Sequence, residues 1–236
     1  MKRITAIILA SMLLLSLCAC GSQKQTVEET KESILENATA IDLDQIGTAF
    51  RTNKVNAEDA YYNKFYTIVG AVYNIESDAV LIDPVDAVFD NGGMKQKSPC
   101  TVKLPEDEIK SLSNSSVIMV CGKLTYFENQ TDSYMLTLED AFYVTDVIEV
   151  TATVTALYGA SGEKKTLQLE RLVYNSSGFR EVYYEIPEYR GPLYSVGDTV
   201  TFTGTMKGDY DTGLASMFMI GCNFYHVTRL DEISKN

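Results

Sequence analysis

The chain has no tryptophan and one histidine in 236 residues, and its 20 basic residues are outnumbered by 32 acidic ones. A lone His226 excludes a histidine-rich metal site, and any histidine-based triad would have to use it. Its place at a strand end reads as structural or surface. There is no G-x-S-x-G nucleophile elbow; Gly159-Ala160-Ser161-Gly162 reads as a hairpin turn. Phosphate-loop and dinucleotide fingerprints are absent too. The stretch Asp42–Gly47 has a superficial likeness to a calcium loop, but Ile46 replaces an oxygen ligand and Asn53 stands where a bidentate glutamate is needed. Asp209, Asp211 and Thr212, and likewise Glu128 and Asp132, read as solvated turn residues. The expectation is therefore a protein with no cofactor, no metal and no catalytic site.

Long apolar runs are also lacking. The longest, Ile4–Leu17, is about 14 residues, short of the roughly 20 that cross a bilayer. It follows Lys2 and Arg3 and ends in Leu17-Cys18-Ala19-Cys20. A positive start, a short apolar stretch and a small residue before a cysteine form the signal of an exported bacterial lipoprotein, cut before Cys20 and lipidated on it. This reading makes residues 1–19 the signal peptide and 20–40 a polar, partly helical tether. The partner implied is a membrane, held through the lipid on Cys20, with the rest of the protein extracytoplasmic.

Cleavage leaves 18 basic against 32 acidic residues, a net charge of −14. Such a charge repels phosphate backbones and anionic headgroups, so nucleic acid is a disfavoured partner. The remaining cysteines, Cys100, Cys121 and Cys222, are too few and too scattered for a disulfide framework or a zinc site. Cys100 and Cys222 fall in phase with core positions and should be buried, Cys121 should face outward, and no disulfide is expected.

Residues 42–62 read as helical. Asp42 and Gln45 resemble a capping box, and Leu43, Ile46, Ala49 and Phe50 fall at helical spacing. Asn53 and Lys54 interrupt the pattern. From Tyr66 onward, β-branched and aromatic stretches are separated by Gly, Asn, Asp and Ser. One further helix is expected at Pro105–Ser113, with acidic residues in its first turn.

The β-rich halves align at an offset of 82 residues. Val72 matches Val154, Pro105 matches Pro187, Glu106 matches Glu188, Ser113 matches Ser195, Gly122 matches Gly204, Met135 matches Met217, and Phe142-Tyr143 matches Phe224-Tyr225. The strand phases agree as well: Ile68, Gly70 and Val72 correspond to Val150, Ala152 and Val154. Each half has about five strands with a break after the third, the plan of an OB barrel. The break in the second half contains Gly191 and Pro192, so a loop is expected there. The expected fold is mainly β: tandem OB-like five-stranded barrels with an N-terminal helix, at 41–146 and 147–230, and a tail at 231–236. No spacer separates the halves, so they should pack in a fixed orientation.

The spacing of Phe50, Asn53, Ala57 and Tyr61, followed by Lys64, Tyr66, Gly70-Ala71-Val72 and Ile75, resembles the tRNA-anti-like OB family found in many bacterial lipoproteins. The resemblance covers less than half of the chain. It implies a barrel preceded by a helix and carries no catalytic residues.

Two surfaces are candidate ligand sites. Tyr73 shares an outward phase with Val69 and Ala71, and OB barrels bind ligands through exposed aromatics. Thr151, Thr153 and Thr155, with Thr199, Thr201, Thr203 and Thr205, should line neighbouring strands as one uncharged polar face. The leading functional expectation is a non-catalytic binding or adaptor module for an envelope protein or a glycan. The alternatives are an oligonucleotide-binding lipoprotein and an enzyme with an unrecognised acidic site.

Overall fold

The computed structural model describes residues 30–85, 100–129, 134–159, 165–175, 178–209 and 224–236. Residues Ile34–Asn236 form one compact unit. The first elements are α1 (Lys31–Asn37), which buries no residue, and the two-residue strand β1 (Thr39–Ala40). Helix α2 (Leu43–Thr52) begins where the capping pattern places it: the Asp42 carboxylate accepts from the Gln45 amide at 2.9 Å. The Asn53 side chain then caps α3 (Lys54–Tyr61) by accepting from the Asn56 amide at 3.2 Å. The Asn53–Lys54 interruption is thus a cap between two helices.

The first barrel comprises β2 (Phe65–Ile75), β3 (Val80–Pro84), β4 (Cys100–Val102), β5 (Val117–Asn129) and β6 (Tyr134–Thr145). β2 pairs with β3 and β5, β3 with β4, β4 with β6 and β6 with β5, which closes the ring. Only β4–β6 is parallel within it. Strand β1 adds to β2 in parallel at Tyr66 and Thr67. Helix α4 (Glu106–Ser111) joins β4 to β5. It is anchored by buried Ile109 and by Glu108, whose carboxylate accepts from the Tyr143 amide at 2.6 Å. The barrel interior gathers Ile68, Val72, Ile82, Val102, Val120, Leu124 and Leu138. Phe50, Tyr62, Phe127 and Tyr134 pack ring against ring between the helices and the barrel, at centroid distances of 4.8–5.5 Å.

The second barrel repeats the plan with β7 (Ile148–Tyr158), β8 (Lys165–Asn175), β9 (Gly178–Tyr189), β10 (Thr199–Gly208) and β11 (Phe224–Lys235). The ring order is β7–β8–β9–β11–β10, closed by β10–β7, with β9–β11 parallel. As expected from Gly191 and Pro192, residues 190–198 contain no helix.

The repeat holds through the fourth strand and shifts at the fifth. Thr101 pairs with Thr137, while Tyr183, its counterpart, pairs with Phe224 rather than with position 219. The match of Phe142-Tyr143 to Phe224-Tyr225 is therefore not a structural one. Strand β11 also runs on to Lys235, so residues 231–235, expected as a tail, belong to the barrel wall.

The two barrels share an apolar interface. Ala71, Val85 and Val117 of the first barrel are buried in the cluster that contains Val150, Phe202, Tyr184 and Val227 of the second, with Val69 and Met119 packed on it. Ser116 and Lys207 form an antiparallel bridge across the junction, and the Gly208 amide donates to the Ser115 carbonyl at 2.7 Å. Among the described residues, no helix is long and apolar enough to cross a membrane.

Candidate functional site

The expected sites fall in different places. Tyr73 is 44% exposed, but Ala71 is fully buried and Val69 partly so, because the second barrel covers that part of the outer face. The open aromatic face expected along β2 is thus reduced to Tyr73. The threonines do meet: Thr153 lies opposite Thr199 and Thr151 opposite Thr201, with Thr151 and Thr201 hydroxyls 2.8 Å apart. Thr201 also donates to the Asn236 side chain at 3.0 Å. The face is not uncharged, however. Thr203 sits between Glu149 on β7 and Glu232 on β11, both exposed. Thr155 leaves the array at a β-bulge, and its hydroxyl donates to the Gln168 carbonyl at 3.3 Å.

Cys20 and Cys222 lie outside the described residues, as do Asp132, Asp211, Thr212 and the hairpin positions after Gly159. Cys100 and Cys121 are free and buried, the first inside the barrel core. Cys121 was expected to face outward; it lies outside that core yet has no exposed surface. Burial pushes both thiols up.

A cleft lies between the barrels. About 590 Å³ in volume, it is lined by Ile41, Val69 and Met119 of the first barrel and Leu172 and Val173 of the second, with Asp42, Asp44 and Arg171 as its charged groups. Both walls end in strand edges. β1 is a two-residue addition beside β2, and β8 pairs with β7 only as far as Glu170; beyond it, among the described strands, Leu172 and Val173 pair with β9. The floor is apolar, and the walls are held by the shared interface. A hint existed in the sequence: Leu172 falls out of phase with the buried Leu167 and Leu169.

A second cluster occupies the outer face of β9 and β11. Phe224 stacks 6.5 Å from Tyr183 and packs 5.0 Å from His226. His226, about half exposed, has Glu185 at 3.6 Å from Nδ1 and Asp209 at 3.6 Å from Nε2. The Tyr183 hydroxyl donates to Glu181 at 2.6 Å. That hydrogen bond, then burial and the charges of Glu181 and Glu170, push the phenol up to about 12. The sequence carries a signal for this face, since Glu181, Tyr183 and Glu185 share one phase. Among the described residues, no group of three or more His, Cys, Asp or Glu could hold a metal ion.

Strand order and the single parallel pairing in each ring define a tandem OB-fold protein. The chain is similar to a solved structure of wild-type single-stranded DNA binding protein from Thermus aquaticus. That likeness has 12% identity, covers 72% of this chain and 92% of the other, and has a TM-score of 0.29. No protein-family model matches the chain, and no curated protein is significantly similar to it. The OB assignment rests on the topology alone.

Proposed function

We propose that this is a lipid-anchored, extracytoplasmic binding protein, without catalytic activity, that holds an extended segment of another envelope protein in the cleft between its barrels. The cleft is the observation that carries the reading. Two strand edges flank an apolar floor, which suits a polypeptide in extended form: main-chain bonding to an edge gives affinity, and side-chain pockets give selectivity. Asp42, Asp44 and Arg171 are the charged groups of its lining. The Cys20 signal supports the address, and the spacing from Phe50 to Ile75 supports kinship with the tRNA-anti-like lipoproteins. The net charge of −14 on the cleaved chain sets the protein against phosphate backbones.

The test is a pull-down from detergent-solubilised membranes with the full lipidated chain and with Leu172→Glu. Leu172 is 45% exposed, so the variant should keep the native circular dichroism and melting temperature while losing the captured partner. Equal capture by both proteins overturns the cleft as the site. A salt-dependent gel shift with oligonucleotides would favour nucleic acid, and elution by soluble glycans would favour a glycan. Hydrolase activity lost on Glu185→Gln or Asp209→Asn would overturn the non-catalytic reading. Cys20→Ala should abolish membrane retention, and a mature protein cut elsewhere and free of lipid would overturn the anchor.

A further inference from the structure

The loop 190–198 stands in the second barrel where α4 stands in the first. Leu193 and Val196 within it are each 72% exposed. The loop is not loose. The Tyr189 hydroxyl donates to the Pro192 carbonyl at 2.9 Å, and its ring packs 6.2 Å from Tyr194. The Ser195 amide donates to the Asp198 carboxylate at 2.9 Å, the Gly197 amide to the Val154 carbonyl at 2.9 Å, and the Val154 amide to the Asp198 carbonyl at 2.8 Å. Asp198 is also paired with Lys235 at 2.7 Å. A mobile loop could fold its apolar side chains back onto the barrel; this one is pinned and holds them out.

Its composition departs from the rest of the chain. In a protein of net charge −12, Tyr189–Gly197 contains no carboxylate and one cation, Arg190. The acidic groups at its two ends are Glu188, two positions before Arg190 in sequence, and Asp198, which is paired with Lys235. We infer that this loop is a membrane-contact tip that seats Leu193 and Val196 in the bilayer surface, with Arg190 among the lipid phosphates and Tyr194 at headgroup level. The inference rests on the lipid anchor at Cys20. Residues 21–38 extend at most roughly 60 Å, which keeps the barrels near the surface. Two side chains alone give marginal binding from free solution. Tethering raises the local concentration of surface to the order of millimolar, which converts marginal contact into a persistent one. A protein partner fits less well, because a specific interface takes about 800 Å² from each side, more than two side chains on a loop tip supply.

The absence of tryptophan makes the test direct. In Leu193→Trp the indole is the sole tryptophan of the full lipidated chain. Reconstituted in phosphatidylcholine vesicles, it should show blue-shifted emission, quenched by brominated phosphatidylcholine. Val196→Asp in the same chain should reverse both. Val55→Trp, at another highly exposed position, on α3, should show neither. Water-like, unquenched emission from Leu193→Trp overturns the inference, and so does a blue shift that brominated lipid leaves unquenched, since that places the indole against protein. Failure of the anchor is seen separately, as a mass at Cys20 without lipid. In that event the chain is tethered by an N-terminal histidine tag to nickel-chelating lipid and the same quenching is read.

Discussion

Tyr73 and Thr155 are one position of the repeat: each is the extra residue of a β-bulge between the first and second strands of its barrel. The hydrogen bonds around the two bulges correspond. Val72 donates to the Ser116 carbonyl and accepts from the Ser115 amide, as Val154 does with Asp198 and Gly197, all at 2.8–2.9 Å. The turns that supply these partners also correspond, since Ser116 donates to Ser113 as Asp198 does to Ser195. A bulge re-aims its side chain, so the same device turns out an aromatic ring in one barrel and a hydroxyl in the other.

In these turns Ser115 has φ +70° where its counterpart Gly197 has φ +93°. A left-handed conformation strains an L-residue by about 1–2 kcal/mol, while glycine's extra freedom in the unfolded chain offsets part of any gain. Ser115→Gly should therefore stabilise the protein by about 0.5 kcal/mol, and Gly197→Ser should destabilise it by about 1 kcal/mol. Urea unfolding midpoints measure both. The same sign for both substitutions would show that the turns are not equivalent.

The junction between barrels makes a larger prediction. Ala71 is fully buried against the second barrel. Ala71→Glu would place a charge there without a built partner, at a cost of more than about 3 kcal/mol. Because both barrels contribute to that cluster, the wild-type chain should unfold in one cooperative transition, and the variant in two. Two separated transitions in the wild type would show that the interface does not couple the barrels.

Most of the ring architecture was legible in the sequence because alternation separates the inside of a barrel from its outside. Val150, Ala152 and Val154 are buried, while Thr151 and Thr153 are exposed. Alternation does not say what lies against the outside. Ala71 and Val117 face away from their own barrel and are core residues of the pair, and Cys121 is outward yet buried. The phase of Leu172 only hints at the cleft, since Ile41 and Leu172 are brought together only by packing of the two halves. Identities at a constant offset do not give the register of β11, because the pairing of Tyr183 with Phe224 lies five positions beyond that offset.

Alkaline pH should weaken the fold through Tyr183. Its hydrogen bond to Glu181 holds the phenol protonated up to about 12, against about 10 in the unfolded chain. Between these values the folded state retains a proton that the unfolded state has lost. The contribution is fully present below pH 10 and is lost as the pH rises through 12. Urea midpoints at pH 9, 10 and 11 should fall less steeply for Tyr183→Phe than for wild type. Parallel slopes would show that the hydrogen bond has no thermodynamic weight.

The thiols report on the same burial. Cys100 sits in the first barrel's core, and Cys121 lies outside it but without exposed surface. Burial disfavours the charged thiolate, so both titrate above an ordinary cysteine. Alkylation needs both the thiolate and a path to the sulfur. At neutral pH the native protein should therefore leave Cys100 and Cys121 unmodified by iodoacetamide, while guanidinium exposes both. Peptide mass spectrometry distinguishes the sites. Modification of Cys121 alone in the native state would show an open outer face of β5, as alternation by itself suggests. Modification of Cys100 would require the barrel to open. A disulfide would appear as resistance of both peptides to alkylation even in guanidinium, relieved only by reductant.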